Sequence, residues 1–215
     1  MKKNDENQKL REKIFKAFTN KIFHIPLFYK YKGGIRFELS DDNCSIRQFL
    51  TAFEKSKPII NKIIGANSEI TVCLRARLEF PIFKNRWKLK HLKNAGVTLG
   101  KNRDIWIEEI KDIDLLDSDG KNFWVYIAFH TPVIFIDNFM WCALSNDLGV
   151  IKPAPGVMVY FFDIDRGIAI YPYDARGMDV VGNNHNFLRK IYDEFKENIF
   201  HYDAAKISSV FESKK

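Results

Sequence analysis

Apolar and polar positions follow two periods along this chain, and the changes of period mark its elements. Leu10, Ile14, Phe18 and Ile22 recur every four residues among Lys and Arg, which predicts an amphipathic helix over residues 6–22 that occupies most of the N-terminal stretch 1–22. Pro26 and the Gly33-Gly34 pair then break the pattern. From Gly34 to Ser40, Ile35, Phe37 and Leu39 alternate with Arg36 and Glu38, the signature of a strand with one core face and one wet face. Asp41, Asp42 and Asn43 offer capping side chains ahead of Ile46, Phe49, Leu50 and Phe53. They predict a second helix that Pro58 kinks or restarts before Ile59, Ile60, Ile63 and Ile64, with Gly65 closing it. Ile70 to Leu78 alternates again, with Thr71, Cys73, Arg75 and Arg77 on the face opposite Ile70, Val72, Leu74, Ala76 and Leu78.

Further along, residues 83–103 read as a short helix followed by a Gly-containing loop. Asp104–Ile110 and Asn122–Phe129 read as two strands joined by the acidic turn Asp112–Gly120, hence an antiparallel pair. Thr131 and Pro132 suit the N-cap and first position of an apolar helix over Val133–Leu148. Val157–Asp163 and Gly167–Tyr173 form a hairpin across residues 164–166. A long last helix, capped by Asn183 or Asn184, carries Phe187, Leu188, Ile191, Tyr192, Phe195 and Ile199, and a polar, partly helical tail follows. Helices interleaved with meander-like strand pairs predict an α+β fold, a mainly antiparallel β-sheet packed with helices in a single domain over residues 1–215.

Composition supports one large core. The chain has 215 residues, 46% hydrophobic, with 19 Phe, 8 Tyr and 4 Trp, enough to bury a full interior without disulfides or metals. The start has no apolar run followed by a cleavage site, and no segment approaches the roughly 18 apolar residues of a membrane span. A cytoplasmic protein with no membrane partner is expected. Cys44, Cys73 and Cys142 are widely spaced and read as reduced, mostly buried small hydrophobes.

Charge changes the picture more by its distribution than by its sum. The net charge is +7, but residues 84–103 carry seven basic and no acidic side chains, whereas residues 104–175 carry twelve acidic against four basic. The chain is polarised rather than uniformly basic. The basic stretch Lys84, Arg86, Lys88, Lys90, Lys93, Lys101 and Arg103, with Trp87 and His91 among them, offers phosphate contacts and a stacking ring, or simply a solvated helix anchored by Trp87. The carboxylates Asp112, Asp114, Asp117 and Asp119 offer a surface that steers a basic partner, or a solvated loop.

No sequence signature of catalysis appears. His24, His91, His130, His185 and His201 lack HExxH or other ligand spacing, and there is no nucleophile elbow, Walker loop or dinucleotide fingerprint. The acidic turn has the wrong ligand order for an EF-hand and no closing Glu, so no metal and no cofactor is expected. The segment with the densest candidate chemistry is Tyr171–Asp179, in which Asp174, Arg176 and Asp179 place two carboxylates and a guanidinium within six residues. It reads as a salt-bridged loop that fixes the last helix to the sheet, with Gly177 permitting a sharp turn. A wider polar cluster with Arg36 and Glu38 is the one arrangement from which an enzyme site is conceivable.

Three stretches together resemble the bacterial family known as domain of unknown function 3885. They are Pro26-Leu27-Phe28-Tyr29 with Ile35-Arg36-Phe37-Glu38-Leu39, the helix-to-strand passage 46–78, and Tyr173-Asp174-Ala175-Arg176-Gly177-Met178-Asp179 ahead of the helix with Leu188 and Tyr192. The family pattern is nearer Tyr-Asp-Asp-Arg-Gly-x-Asp, so Ala175 stands where the second acid would be, and a catalytic or metal role for that acid would be lost here. The resemblance implies an α+β fold and supplies no reaction. By analogy with small bacterial immunity partners of secreted toxins, the leading expectation is a non-catalytic immunity or antitoxin protein. It would occlude a cognate protein toxin through Asp112, Asp114, Asp117 and Asp119. Nucleic-acid binding through residues 84–103, and an enzyme using Arg36, Glu38, Asp174, Arg176 and Asp179, are the alternatives.

Overall fold

The computed structural model describes residues 9–78, 81–110 and 122–212. Residues 6–8 of the expected first helix and the acidic turn lie outside them. In chain order the elements are α1 (Leu10–Phe18), β1 (Ile35–Glu38), α2 (Ser45–Ile64), β2 (Glu69–Leu78), α3 (Arg86–Asn94), β3 (Arg103–Glu109) and β4 (Phe123–Pro132). They are followed by α4 (Ile136–Leu144), β5 (Met158–Asp163), β6 (Ile168–Asp174), β7 (Gly177–Gly182), α5 (His185–Glu194) and α6 (Ala204–Phe211). The strands form one sheet in the order β1-β7-β6-β5-β2-β4-β3, and each neighbouring pair is antiparallel. The fold is α+β, as the sequence predicts.

One face of the sheet packs on helices. Val72 and Leu74 of β2, Phe161 of β5, Ile170 of β6, Val180 of β7 and Phe37 of β1 bury against α2 and α4 in a single apolar core. Helix α2 runs unbroken for 20 residues through Pro58, without the expected restart. Pro58 and Glu54, four residues before it, are both on the exposed side, so the carbonyl that loses its amide partner is open to water and the helix survives the proline.

The opposite face, expected to be wet, is covered. Its cover is the N-terminal segment: α1, a 3-10 turn at Asn20–Phe23 and another at Leu27–Lys30. Helix α1 stops at Phe18 rather than continuing to Ile22, because Thr19 takes φ 61° and turns the chain. The Tyr31 hydroxyl donates to the freed carbonyl of Phe18. Ile14, Phe18, Ile22, Phe23 and Leu27 then bury against Cys73, Tyr126, Tyr160, Phe162 and Tyr171. Phe23 sits in the middle of this aromatic layer, its ring centroid 4.8 Å from Tyr126 and 5.1 Å from Tyr160. Arg75, on the polar face of β2, is buried beneath the same segment: its guanidinium carbon lies 4.0 Å from the Trp124 ring centroid, and Nη1 donates to the Phe23 carbonyl at 2.8 Å. Cys73 and Cys142 are buried, free thiols, one in each core, whereas Cys44 is partly exposed. Burial pushes the Cys142 thiol up to about 12.

Three boundaries differ from the sequence pattern. Strand β4 runs on to Pro132, with Thr131 opposite Ile70, so Thr131 and Pro132 end a strand instead of starting a helix, and a 3-10 turn at Val133–Phe135 leads into α4. Residues 171–179 are not a loop: β6 continues to Asp174, and β7 starts at Gly177 and lies between β6 and β1. The last helix divides. Helix α5 ends at Glu194, Ile199 bridges to Phe37 at the outer edge of β1, and α6 follows.

The N-terminal segment is thus the second wall of the molecule. Phe23→Ala is expected to cost about 3–5 kcal/mol, the usual range for a fully buried aromatic, in a single cooperative urea transition seen alike by far-UV and near-UV circular dichroism. A change below about 1 kcal/mol would mean that the segment only rests on the sheet.

Candidate functional site

The sequence-predicted polar residues fall into three separate arrangements. Arg36 points from β1 toward the N-terminal side, and Asp179 lies opposite it in the β1–β7 register. Arg36 Nε donates to Asp179 Oδ1 at 2.8 Å and Nη2 to Oδ2 at 3.1 Å, the two-pronged geometry of a guanidinium on a carboxylate. The Phe28 backbone N–H adds a third donor to Asp179 Oδ2 at 2.9 Å. The remaining prong, Nη1, reaches Asp203 Oδ2 at 3.3 Å, while the Tyr29 hydroxyl donates to Asp203 Oδ1 at 3.0 Å. Aromatic rings enclose the charge, with Phe28 and Tyr29 each 5.1 Å and Tyr173 5.6 Å from the guanidinium carbon.

This cluster is nearly dry: the Arg36 side chain is 11% exposed and that of Asp179 1%. Burial works against the Arg36 charge, but the hydrogen bonds and charge of Asp179 outweigh it and hold the guanidinium above its already high range. Asp203 and Tyr29 complete the cluster. Tyr29 belongs to a motif singled out in the sequence, whereas Asp203 is one carboxylate in a polar tail, with no local pattern to mark it.

The other candidates lie elsewhere. Asp174 is buried at the end of β6 and accepts from the Arg176 backbone N–H at 2.7 Å and from its Nε at 3.0 Å, within the tight turn into β7. The Arg176 side chain is exposed. Gly177 is required by a close approach: a Cβ there would come within 1.8 Å of the Tyr173 hydroxyl and 3.0 Å of the Phe37 carbonyl oxygen. Ala175, where the second acid of the family pattern would stand, is buried in the helix-side core. Glu38 is partly exposed, 3.6 Å from His201 Nδ1.

Two surface clefts have volumes of about 670 and 560 Å³. The first is bordered by Lys16, Asp165, Arg166, Asn183 and His185, the second by Phe53, Asp137, Asn138, Trp141 and Lys152. Neither includes the five polar candidates. Among the described residues no group of His, Cys, Asp or Glu is placed to hold a metal ion, and no helix is long and apolar enough to cross a membrane.

The two charged stretches occupy different surfaces. The basic stretch forms a 3-10 turn at Ile82–Asn85, helix α3 and the loop into β3. Lys88 and Leu92 face inward, whereas Lys84, Arg86, Lys90, Lys93, Lys101 and Arg103 are exposed. The acidic stretch begins on β3, which ends the sheet and, among the described residues, pairs only with β4. Across the row Leu74, Ile127, Ile105 the helix layer runs out: Leu74 is 2% exposed, Ile127 is half-buried and Ile105 is 56% exposed, and Ile107 in the next row is 55% exposed. Trp106, on the opposite face, is buried and stacked on Tyr126. Asp112, Asp114, Asp117 and Asp119 lie outside the described residues.

The family model of domain of unknown function 3885 (DUF3885) matches residues 10–203, and the chain belongs to that family. No curated protein and no solved structure matches it.

The Arg36 cluster is expected to behave as a structural unit. Arg36→Met or Asp179→Asn alone should destabilise the protein by about 3–5 kcal/mol, since each leaves an uncompensated buried polar partner. The double variant Arg36→Met/Asp179→Asn should lose less than the sum of the single losses by more than about 1 kcal/mol in urea unfolding. Additive losses would show that the pair is not coupled.

Proposed function

We propose that the protein is a non-catalytic binding protein of the immunity or antitoxin type, which neutralises a protein toxin by occluding it, with the β3 edge at the centre of the contact. The observation that carries this reading is the difference between the two edges of the sheet. At β1 the edge is closed by the bridge of Ile199 to Phe37 and by the Phe200 N–H donating to the Arg36 carbonyl at 2.9 Å. At β3 no described strand pairs beyond Arg103–Glu109, and the edge carries two exposed isoleucines.

An open strand edge offers a row of backbone donors and acceptors, which native proteins close or charge unless a partner uses it. In sequence, residues 104–119 hold seven carboxylates and one lysine, a local composition that favours a partner strand or loop carrying Lys or Arg. That is the chemistry of a basic active-site cleft, such as that of a nuclease toxin. The Ile105 and Ile107 side chains supply an apolar centre, with the exposed Glu109 on the same face. The opposing polar candidates are engaged internally: Arg36 and Asp179 hold each other, and Asp174 holds Arg176.

The test uses the product of the gene adjacent to this one. Ile105→Lys/Ile107→Lys should weaken binding by at least about 30-fold per residue at hot-spot strength and abolish protection of cells that express the toxin. Reversal of Asp112, Asp114, Asp117 and Asp119 to Lys should mainly slow association and flatten its salt dependence. Full protection and unchanged affinity in both folded variants would sink the reading.

A further inference from the structure

We infer that residues 82–103 form a docking surface for an anionic lipid bilayer. This surface is separate from the β3 edge, and the inference does not rest on toxin binding. Along the 3-10 turn and α3, Ile82, Arg86, Leu89, Lys90 and Lys93 recur at three- and four-residue steps, so they form one ridge, opposite the buried Lys88 and Leu92. The ridge alternates aliphatic and cationic groups. Ile82 is 67% and Leu89 53% exposed, and Arg86, Lys90 and Lys93 are exposed between and beyond them.

Among the described residues these cations have no salt-bridge partner. Some basic side chains of other elements reach carboxylates, as in Arg47–Asp42, Lys57–Asp137, Lys62–Glu194 and Lys196–Glu212, whereas among the described residues none of Lys84, Arg86, Lys90, Lys93, Lys101 and Arg103 does. The first turn of α3 has no acidic residue, so Lys84 and Arg86 meet the positive end of the helix dipole. Arg86 with Lys90, and Lys90 with Lys93, are like-charged neighbours on the helix surface. An anionic surface laid against this ridge relieves all three repulsions at once.

Two observations favour a bilayer over nucleic acid. The ring of Trp87 is already in use: a Cβ on Gly156 would come within 3.0 Å of it, Lys88 Nζ lies 4.5 Å from a ring centroid, and His91 meets it edge-on at 5.5 Å. With these neighbours Trp87 is left 40% exposed, so only part of its ring is open to a base. The most exposed apolar groups of the ridge are the aliphatic Ile82 and Leu89, which gain by entering the headgroup and acyl boundary while lysines and arginines meet lipid phosphates. This contact lies on the membrane and does not require a span, so it departs from the sequence expectation of no membrane partner.

The experiment is co-flotation of the full chain with phosphatidylcholine vesicles and with vesicles of equal phosphatidylcholine and phosphatidylglycerol, at low and physiological salt. Binding is expected to the anionic vesicles only, and to weaken with salt. Arg86→Glu/Lys90→Glu/Lys93→Glu, on exposed positions, should reduce it at least about 100-fold, at roughly fivefold per cation. Ile82→Ser/Leu89→Ser should weaken it while leaving the salt dependence intact. Failure to bind anionic vesicles at low salt would overturn the inference. So would binding that ignores Ile82→Ser/Leu89→Ser and is competed away by RNA, which would assign the ridge to nucleic acid.

Discussion

The guanidinium of Arg36 draws three distant parts of the chain onto one side chain, alongside the backbone pairing of β1 with β7 and the Ile199 bridge. Its carboxylate partner Asp179 comes from β7, the amide that also binds Asp179 comes from Phe28 in the N-terminal segment, and Asp203 comes from the stretch that leads into α6. Strand β1 has only four residues, too few to hold the edge of a seven-stranded sheet by backbone pairing alone. The cluster fixes that edge strand to β7, ties the N-terminal cover down at Phe28, and secures the chain's return at Asp203. A buried ion pair of this kind adds little net stability compared with well-packed apolar residues. It makes any other register costly, because shifting β1 by one residue would leave Asp179 buried and uncompensated.

That same interaction explains where sequence reasoning worked and where it failed. Elements with an unbroken period were legible: β2, the β5–β6 hairpin, the face of α2 and the antiparallel β3–β4 pair. Strand β7 was not, because Gly177-Met178-Asp179-Val180-Val181-Gly182 is short, is flanked by glycines and carries a carboxylate that propensity assigns to a turn. It is held by pairing on both sides, with β6 and with β1, whose Arg36 lies 143 residues away from Asp179. The cover over the second sheet face was equally hidden. Arg36, Arg75 and Thr71 look like a wet face in any local window, and only the docked N-terminal segment makes them buried. Of the candidate polar residues, the structure brings Arg36 and Asp179 together and leaves Glu38, Asp174 and Arg176 apart from them, whereas Asp203 was missed because it lies in a tail without periodicity.

With both faces of the sheet covered and the β1 edge closed, few places remain where this fold meets another molecule through its framework. The β3 edge is one, because the helix layer ends before it and leaves Ile105 and Ile107 in water. The α3 ridge is the other. The two are joined by residues 95–102, and that linker is held in place: the Asn138 side chain donates to the Ala95 carbonyl at 2.7 Å, and Arg103 Nη1 donates to the Gly100 carbonyl at 2.9 Å. Their relative orientation is therefore built into the fold.

The separation of charge between these surfaces has its own physical logic. Each exposed ion pair contributes at most about 1 kcal/mol, so a chain loses little stability by leaving six cations without salt bridges to the described carboxylates. What it gains is two local fields of opposite sign, each acting within a screening length of about 8 Å at physiological salt. Had Lys90 or Lys93 paired with Glu108 or Glu109, both fields would be cancelled and neither surface would select a partner by charge. Arg11 shows the alternative in the same molecule: it sits 3.7 Å from Glu108, and its backbone N–H donates to Asp104, so those two carboxylates serve to hold α1 against β3. Glu109, which shares a face with Ile105 and Ile107 and is exposed, makes no salt bridge among the described residues, and it leaves a carboxylate beside the apolar part of the edge.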